Sequence, residues 1–371
     1  MAERPRVLLL IPHLGGGGAE HVTALLTRGL SPQKYELHLG LITESVIASD
    51  LVPLWVTIHA LGAPRVRSSA MRLLRLVRTL EPDLILSGMA HLNFLVLLLR
   101  PLFPDKTRVV VRQNATVSGD LRSGRLPAYS GLFYRLLYPM ADRIVCQTRA
   151  MAEDLASRSR LGEAQVEVLA NPVDAAAIRS AGEDTEDHWH GPGPHLLAVG
   201  RLSFEKGFDL LLEAFASLRV KFPEAKLTIL GTGPELDSLI ALRCQLRVEA
   251  SVRFAGHVLH PEQFFAGATL FVLPSRQEGM PNALLEAAMG GLPIVALPAS
   301  EGIVNLLEGK QGAWLGTEVS SRALTGALLA ALVSLHPRHR FPHTWVESYR
   351  MECAIQGYER MIDEMLHEQA R

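Results

Sequence analysis

Two carboxylates, Glu278 and Glu286, stand with seven residues between them in the segment Leu273–Pro298, LPSRQEGMPNALLEAAMGGLPIVALP. An apolar run ends at Leu273 and a loop carries Glu278, Gly279 and Met280. Pro281 falls where a first helical position belongs, followed by Asn282, and Gly290 with Gly291 stops the helix before the next apolar run. The predicted unit is strand, loop, helix, strand. A helix N-terminus offers unpaired N–H groups and the positive end of a dipole, which suits a diphosphate. Glu278 precedes the helix and Glu286 lies about a turn and a half inside it. The two carboxylates therefore reach different depths of one pocket, and each can accept hydrogen bonds from both hydroxyls of a diol.

A second segment, VGRLSFEKGFDLLLEAF over Val199–Phe215, places Gly200 and Arg201 just after a predicted strand and Lys206 before a helix. Cations there would stabilise charge developing on a departing phosphate group. The alternative is a surface pairing of Arg201 and Lys206 with Glu205 or Asp209. Near the N-terminus, IPHLGGGGAEHV (Ile11–Val22) runs from a strand through four glycines, Gly16 and Gly17 among them, into a helix. Without Cβ atoms such a loop lets backbone approach a phosphate or sugar closely, or it is only a tight strand-to-helix turn. The glycine spacing departs from the dinucleotide fingerprint, and no acidic residue closes the second strand near Leu41, so a hydride-transferring enzyme is disfavoured.

Together these segments resemble the GT-B glycosyltransferases of glycosyltransferase family four, whose signature is a pair of glutamates separated by seven residues. The resemblance is detailed over residues 195–315 and looser over 1–175. It implies that Glu278 binds the donor-sugar hydroxyls, Glu286 the ribose hydroxyls, and Arg201 with Lys206 the diphosphate. The glycine loop would line the cleft opposite the donor, Gly233 would lie in a cleft-facing turn, and His257 and Val258 would meet the nucleobase through backbone groups. His91 is a candidate for touching the sugar, its alternative a structural histidine. Arg112 and Asn114 are candidates for contact with acceptor or donor. The family pattern also implies retention of anomeric configuration, with the departing phosphate oxygen helping to deprotonate the acceptor. No Asp-x-Asp strand end of the metal-binding kind is present, so metal independence and the absence of any cofactor are expected.

The elements that must position these residues are legible as alternation. Apolar runs at Val7–Ile11, Leu37–Ile42, Leu84–Leu86, Val109–Val111, Ile144–Cys146 and Val166–Leu169 are separated by longer helical patterns. A second series occupies His195–Val199, Leu227–Leu230, Val252–Phe254, Leu270–Leu273 and Ile294–Leu297. Two α/β domains with doubly wound parallel sheets follow, facing across a cleft, with ligand-binding loops beyond the carboxyl ends of the strands. The expected division is an acceptor domain over 1–175, a linker over 176–194 and a donor domain over 195–344. The final helix, about 345–371, could pack on either domain, and a return to the N-terminal domain is one of the two expectations.

Bulk properties exclude several classes. At 371 residues with 48% hydrophobic content, two cores are expected. Three scattered cysteines fit neither a disulfide framework nor a zinc cluster. The Val7–Ile11 run is too short for a signal peptide and no stretch spans a bilayer, so a cytoplasmic protein is expected. The formal net charge of −1 hides an excess of +6 over residues 1–170 and −7 over the remainder. At 100° per residue, Arg72, Arg75 and Arg78 share one face of a helix and Leu73, Leu74, Leu76, Val77 and Leu80 the other. Either the arginines are simply solvated, or they hold an anionic membrane surface or the phosphates of a lipid-linked acceptor.

The resulting expectation is a retaining transfer of a hexose or N-acetylhexosamine from a UDP-linked donor. The acceptor is a glycan or a lipid-linked glycan in cell-surface polysaccharide or glycoconjugate biosynthesis. A nucleotide-sugar epimerase or phosphorylase of the same architecture is the enzymatic alternative, and a sugar-nucleotide-binding scaffold the non-enzymatic one. No nucleic-acid partner is expected.

Overall fold

Strands buried on both faces need continuous apolar runs, and parallel sheets need helical crossovers to cover those faces. The computed structural model has both in each half of the chain. It describes residues 3–15, 17–43, 51–122, 127, 129–162, 165–181, 189, 191–335 and 339–368. The chain forms two compact units: unit 1 is Met1–Pro172 with Met351–Arg371, and unit 2 is Val173–Arg350.

Unit 1 carries β1 (Arg6–Ile11), β2 (Glu36–Leu41), β3 (Thr57–Ala60), β4 (Leu84–Gly88), β5 (Arg108–Arg112), β6 (Arg143–Cys146) and β7 (Val166–Val168). Their order is β3-β2-β1-β4-β5-β6-β7 and every pairing is parallel. The sequence order reverses between β1 and β4, which makes the loops after these two strands the ligand-binding position of a doubly wound sheet. One face of the sheet is covered by the helices Ala70–Leu80 and Ala90–Leu99, through Leu73, Val77, Leu92 and Val96. The other is covered by the helices Gly18–Gly29 and Met351–His367, through Val22, Leu26, Ile355, Tyr358, Met361 and Ile362. The C-terminal helix is further tied by Lys34 to Glu359 at 2.6 Å and by the Tyr35 hydroxyl to Asp363 at 2.5 Å. It starts at Met351; the preceding turn, Thr344–Tyr349, belongs to unit 2.

Unit 2 repeats the plan with β8 (His195–Val199), β9 (Lys226–Leu230), β10 (Val252–Gly256), β11 (Leu270–Leu273), β12 (Ile294–Ala296) and β13 (Ala313–Leu315). The order is β10-β9-β8-β11-β12-β13, again wholly parallel, with the reversal between β8 and β11. Two features overlap the stretch read from sequence as linker. Ala175–Ala181 is a helix, and Trp189 is buried in the unit 2 core with its indole donating to the Phe264 carbonyl at 3.3 Å. Among the described residues no helix is long and apolar enough to cross a membrane.

Candidate donor site and family

In unit 2 the loops after β8 and β11 flank the reversal, and they carry the cations and the first glutamate. The carboxylate of Glu278, a residue only 7% exposed, accepts from Lys206 Nζ at 2.6 Å and from the Ser275 hydroxyl at 2.6 Å, both at Oε1. Among the described residues Oε2 has no protein hydrogen-bond partner, which leaves an acceptor oxygen for a ligand hydroxyl. Lys206 keeps 27% of its side chain exposed, so one ammonium can hold Glu278 and still face a ligand phosphate. The exposed Arg201 guanidinium has no hydrogen-bond or ion-pair partner among the described residues. The sequence-local pairing with Glu205 or Asp209 is not what forms: Asp209 belongs to Arg276 and Glu205 accepts from Ser203 at 2.6 Å.

Close backbone approach explains the glycines here. A Cβ on Gly207, whose φ is +66°, would lie 2.1 Å from the Pro274 carbonyl oxygen, so the loops after β8 and β11 pack together only because this residue has none. Gly233 plays the same part against the Leu202 backbone, which also donates to the Thr232 carbonyl at 2.9 Å. Gly233 thus supports the loop bearing Arg201. Gly200 continues the ladder by donating to the Leu230 carbonyl at 2.9 Å.

After Glu278, the half-buried Gly279 and Met280 lead to a buried Pro281, which is the cap of the helix Asn282–Met289; the helix starts one residue later than the sequence suggests. Glu286 is half-buried in its second turn, roughly 6 Å along the axis from Asn282. His257 is exposed and Val258 half-buried beyond β10, the edge strand.

Unit 1 has an analogous polar neighbourhood after β1 and β4. Gly17 caps the helix Gly18–Gly29, and Gly16 lies outside the described residues. Glu20 is buried and folds back over Gly17, with His13 Nδ1 3.6 Å from its carboxylate. His91 is the second residue of the helix after β4. Its surface is exposed, yet desolvation of the ring and the neighbouring His13 hold its pKa below the usual histidine range. The residue before that helix, Met89, has φ of +78°, a left-handed backbone seldom adopted by a non-glycine residue.

Arg112 lies deeper than its position at a strand end suggested. It is 4% exposed, and its guanidinium donates to the Tyr358 hydroxyl at 3.2 Å, to Asn114 Oδ1 at 2.7 Å and to Asn171 Oδ1. It therefore joins the end of β5, the last residues before the chain leaves unit 1 and the helix with which it returns. Arg72, Arg75 and Arg78 are all exposed while Leu73, Leu74 and Val77 are buried. Arg72 donates to the Leu61 carbonyl at 2.7 Å and Arg78 to the Leu102 carbonyl at 3.3 Å.

Sequence inspection passed over Arg276. Its guanidinium forks onto Asp209 at 2.7 and 2.5 Å, donates to the Phe204 carbonyl at 2.9 Å and lies 4.2 Å from the Phe204 ring centroid. Burial pushes the Asp209 carboxyl up, but the fork outweighs it and holds Asp209 below the ordinary carboxylate range. Nothing local signals this, because its partner lies 67 residues away.

Comparison with known proteins gives the family. Residues 193–334 match the family model described as Glycosyl transferases group 1, and residues 16–177 match the one described as Glycosyltransferase Family 4. A Campylobacter jejuni N-acetylgalactosamine-N,N'-diacetylbacillosaminyl-diphospho-undecaprenol 4-alpha-N-acetylgalactosaminyltransferase is 29% identical over 306 residues, covering 79% of this chain and 81% of that one. The Rhizobium meliloti lipopolysaccharide core biosynthesis glycosyltransferase LpsE is 34% identical over 46% of this chain and 51% of that protein. Among solved structures, Anabaena HepE in complex with UDP superposes with a TM-score of 0.76 at 16% identity, over 98% of this chain and 100% of that one. The sucrose-phosphate synthase of Thermosynechococcus elongatus gives 0.83 at 15% identity, with 98% and 100% covered. With both halves of the chain matched and the two doubly wound sheets of the fold in place, the chain belongs to the GT-B glycosyltransferases of family four.

Proposed function

We propose that the chain transfers a hexose or N-acetylhexosamine from a UDP-linked donor to a lipid-linked glycan, with retention of anomeric configuration and without a metal ion. The observation that carries this reading is the arrangement at the β8/β11 reversal: a buried Glu278 with one oxygen free of protein donors, gripped by Lys206, and the unpaired Arg201 in the same loop as Lys206. Glu278 Oε2 accepts from a donor-sugar hydroxyl. Lys206 and Arg201 face the diphosphate, whose charge grows as the bond from the sugar's anomeric carbon to the phosphate oxygen breaks. Two cations at that position do the work that a divalent ion does in other transferases. Glu286 accepts from the ribose hydroxyls. The departing phosphate oxygen takes the proton of the acceptor hydroxyl as the new glycosidic bond forms on the same face, so no enzyme nucleophile is required. This part rests on the family pattern.

The UDP preference draws on the UDP complex of the structural neighbour, and the lipid-linked acceptor on the diphospho-undecaprenol substrate in the Campylobacter relative's name. A lipid-linked substrate places the work at a membrane surface. The exposed Arg72, Arg75 and Arg78 support attachment to the anionic inner face of the cytoplasmic membrane. Polysaccharide or glycoconjugate assembly is the setting. Incubating the chain with a panel of nucleotide sugars and a bacterial lipid extract in EDTA, and weighing the products, tests the reading. A lipid-linked product one sugar heavier is expected, and transfer that appears only when magnesium or manganese is restored contradicts the metal-free mechanism.

A further inference from the structure

Two loops must be held in register for the Lys206–Glu278 contact to exist, and both are irregular backbone. The first, after β8, runs through a short helical turn at Phe204–Lys206 to Gly207. The second, after β11, runs from Pro274 to the cap at Pro281. Irregular loops loosen readily unless tied by side chains or close backbone contacts. Here the ties concentrate on one residue of the second loop. The Arg276 amide donates to the Glu205 carbonyl at 2.8 Å, and the Gln277 amide donates to the same oxygen at 3.3 Å. The Arg276 side chain then crosses the first loop. Its fork closes on Asp209, in the first turn of the helix Phe208–Leu218, and its guanidinium carbon sits over the Phe204 ring while one nitrogen bonds the Phe204 carbonyl. Its neighbour Ser275 donates directly to Glu278.

We propose that Arg276 is a positioning residue that clamps the glutamate-bearing loop onto the lysine-bearing loop and thereby sets the Lys206–Glu278 contact at the donor site. The catalytic consequence rests on the function proposed above; the clamp itself does not. Planarity is essential to it. A guanidinium can fork onto a carboxylate, lie over a ring and reach a carbonyl at once, whereas a lysine ammonium has three donors but no planar fork and cannot hold all of those contacts together. Arg276 thus acts through Glu278 and touches no substrate.

The test uses the full chain with R276A, R276K and E278A, and the double variant R276A/E278A. Because misplacing a reacting group by about 1 Å costs on the order of 100-fold in rate, R276A and R276K should each lower kcat roughly 10- to 100-fold while UDP affinity changes far less. R276A should add almost nothing to the loss already caused by E278A, since its effect passes through that carboxylate. Hydrogen exchange at the Arg276 and Gln277 amides should quicken at least about tenfold in R276K, with the β11 amides unchanged. The proposal is overturned if R276K turns over within twofold of the parent, if the losses in the double variant multiply, or if exchange at the two amides is unaltered. R276K keeps the charge and carries the rate and exchange comparisons alone should R276A fail to fold. If the parent transfers no sugar, the proposed function falls, and exchange at residues 276 and 277 still decides the clamp.

Discussion

Replacing Lys206 with Met should damage stability and turnover together, and a second substitution should separate the two. The ammonium contributes one charge-assisted hydrogen bond at 2.6 Å to a carboxylate whose residue is 7% exposed. Bonds of this kind are worth about 1.5–3 kcal/mol. Breaking a fully buried pair costs more, about 3–5 kcal/mol, but Lys206 is 27% exposed and water can partly replace it at Glu278. About 2 kcal/mol is therefore expected for K206M, which for a domain the size of unit 2 is a fall in Tm of roughly 4–8 °C. In K206M/E278Q the buried charge is gone along with its partner, and Ser275 can still bond the amide oxygen. Most of the Tm should return. Turnover should not return, because the cation proposed to face the leaving group is still missing; roughly 100- to 1,000-fold is the usual loss for one such donor. Scanning calorimetry on the parent, both single variants and the double gives the cycle, and a transfer assay gives the rates. The reasoning fails if K206M melts with the parent, or if the double variant loses the sum of the single losses.

E278Q alone should lower turnover much more than UDP affinity, because the free Oε2 is assigned to the sugar; equal losses in a calorimetric titration and a rate assay would remove that division of labour. R72S/R75S/R78S should reduce sedimentation with anionic liposomes while leaving UDP binding intact, and the parent's sedimentation should weaken with salt. Parent-level sedimentation of the variant would make the helix Ala70–Leu80 purely structural. Acid should destabilise unit 2 in part through His343. Burial pushes the pKa of this ring below its usual value, against the opposing bond to the Leu292 carbonyl at 2.8 Å. The unfolded chain thus takes up the proton first as pH falls through about 6.5, and stability drops below that point. H343F should show a smaller Tm loss between pH 7.5 and 5.5, and an unchanged loss would exclude His343 as a source.

Sequence carried the fold furthest where strands are buried and apolar. β1, with Val7–Ile11 almost wholly inaccessible, and β11 were legible because both faces must be hydrophobic. The two strands missed, Thr57–Ala60 and Ala313–Leu315, are short edge strands whose residues are at most partly buried, so neither forms a continuous apolar run. Trp189 was hidden in a polar stretch whose composition read as linker.

At the candidate site, Glu278, Arg201 and Lys206 were singled out by their places after predicted strands together with the family resemblance, which implied their roles. Their partners were not. Local reading offers Lys206 its near neighbours Glu205 and Asp209, but because β8 and β11 are adjacent it meets a carboxylate 72 residues away. Arg276 is the extreme case, a lone arginine whose partners Phe204 and Asp209 reach it only once the two loops touch.

The most direct test is a calorimetric titration of the chain with UDP, in parallel with E286A. The account predicts binding by the parent that EDTA leaves unchanged. E286A should bind roughly 10- to 100-fold more weakly, the loss of about 1.5–3 kcal/mol for a charge-assisted bond to ribose. Parent binding that requires a divalent cation, or a folded E286A that binds UDP as tightly as the parent, would contradict it.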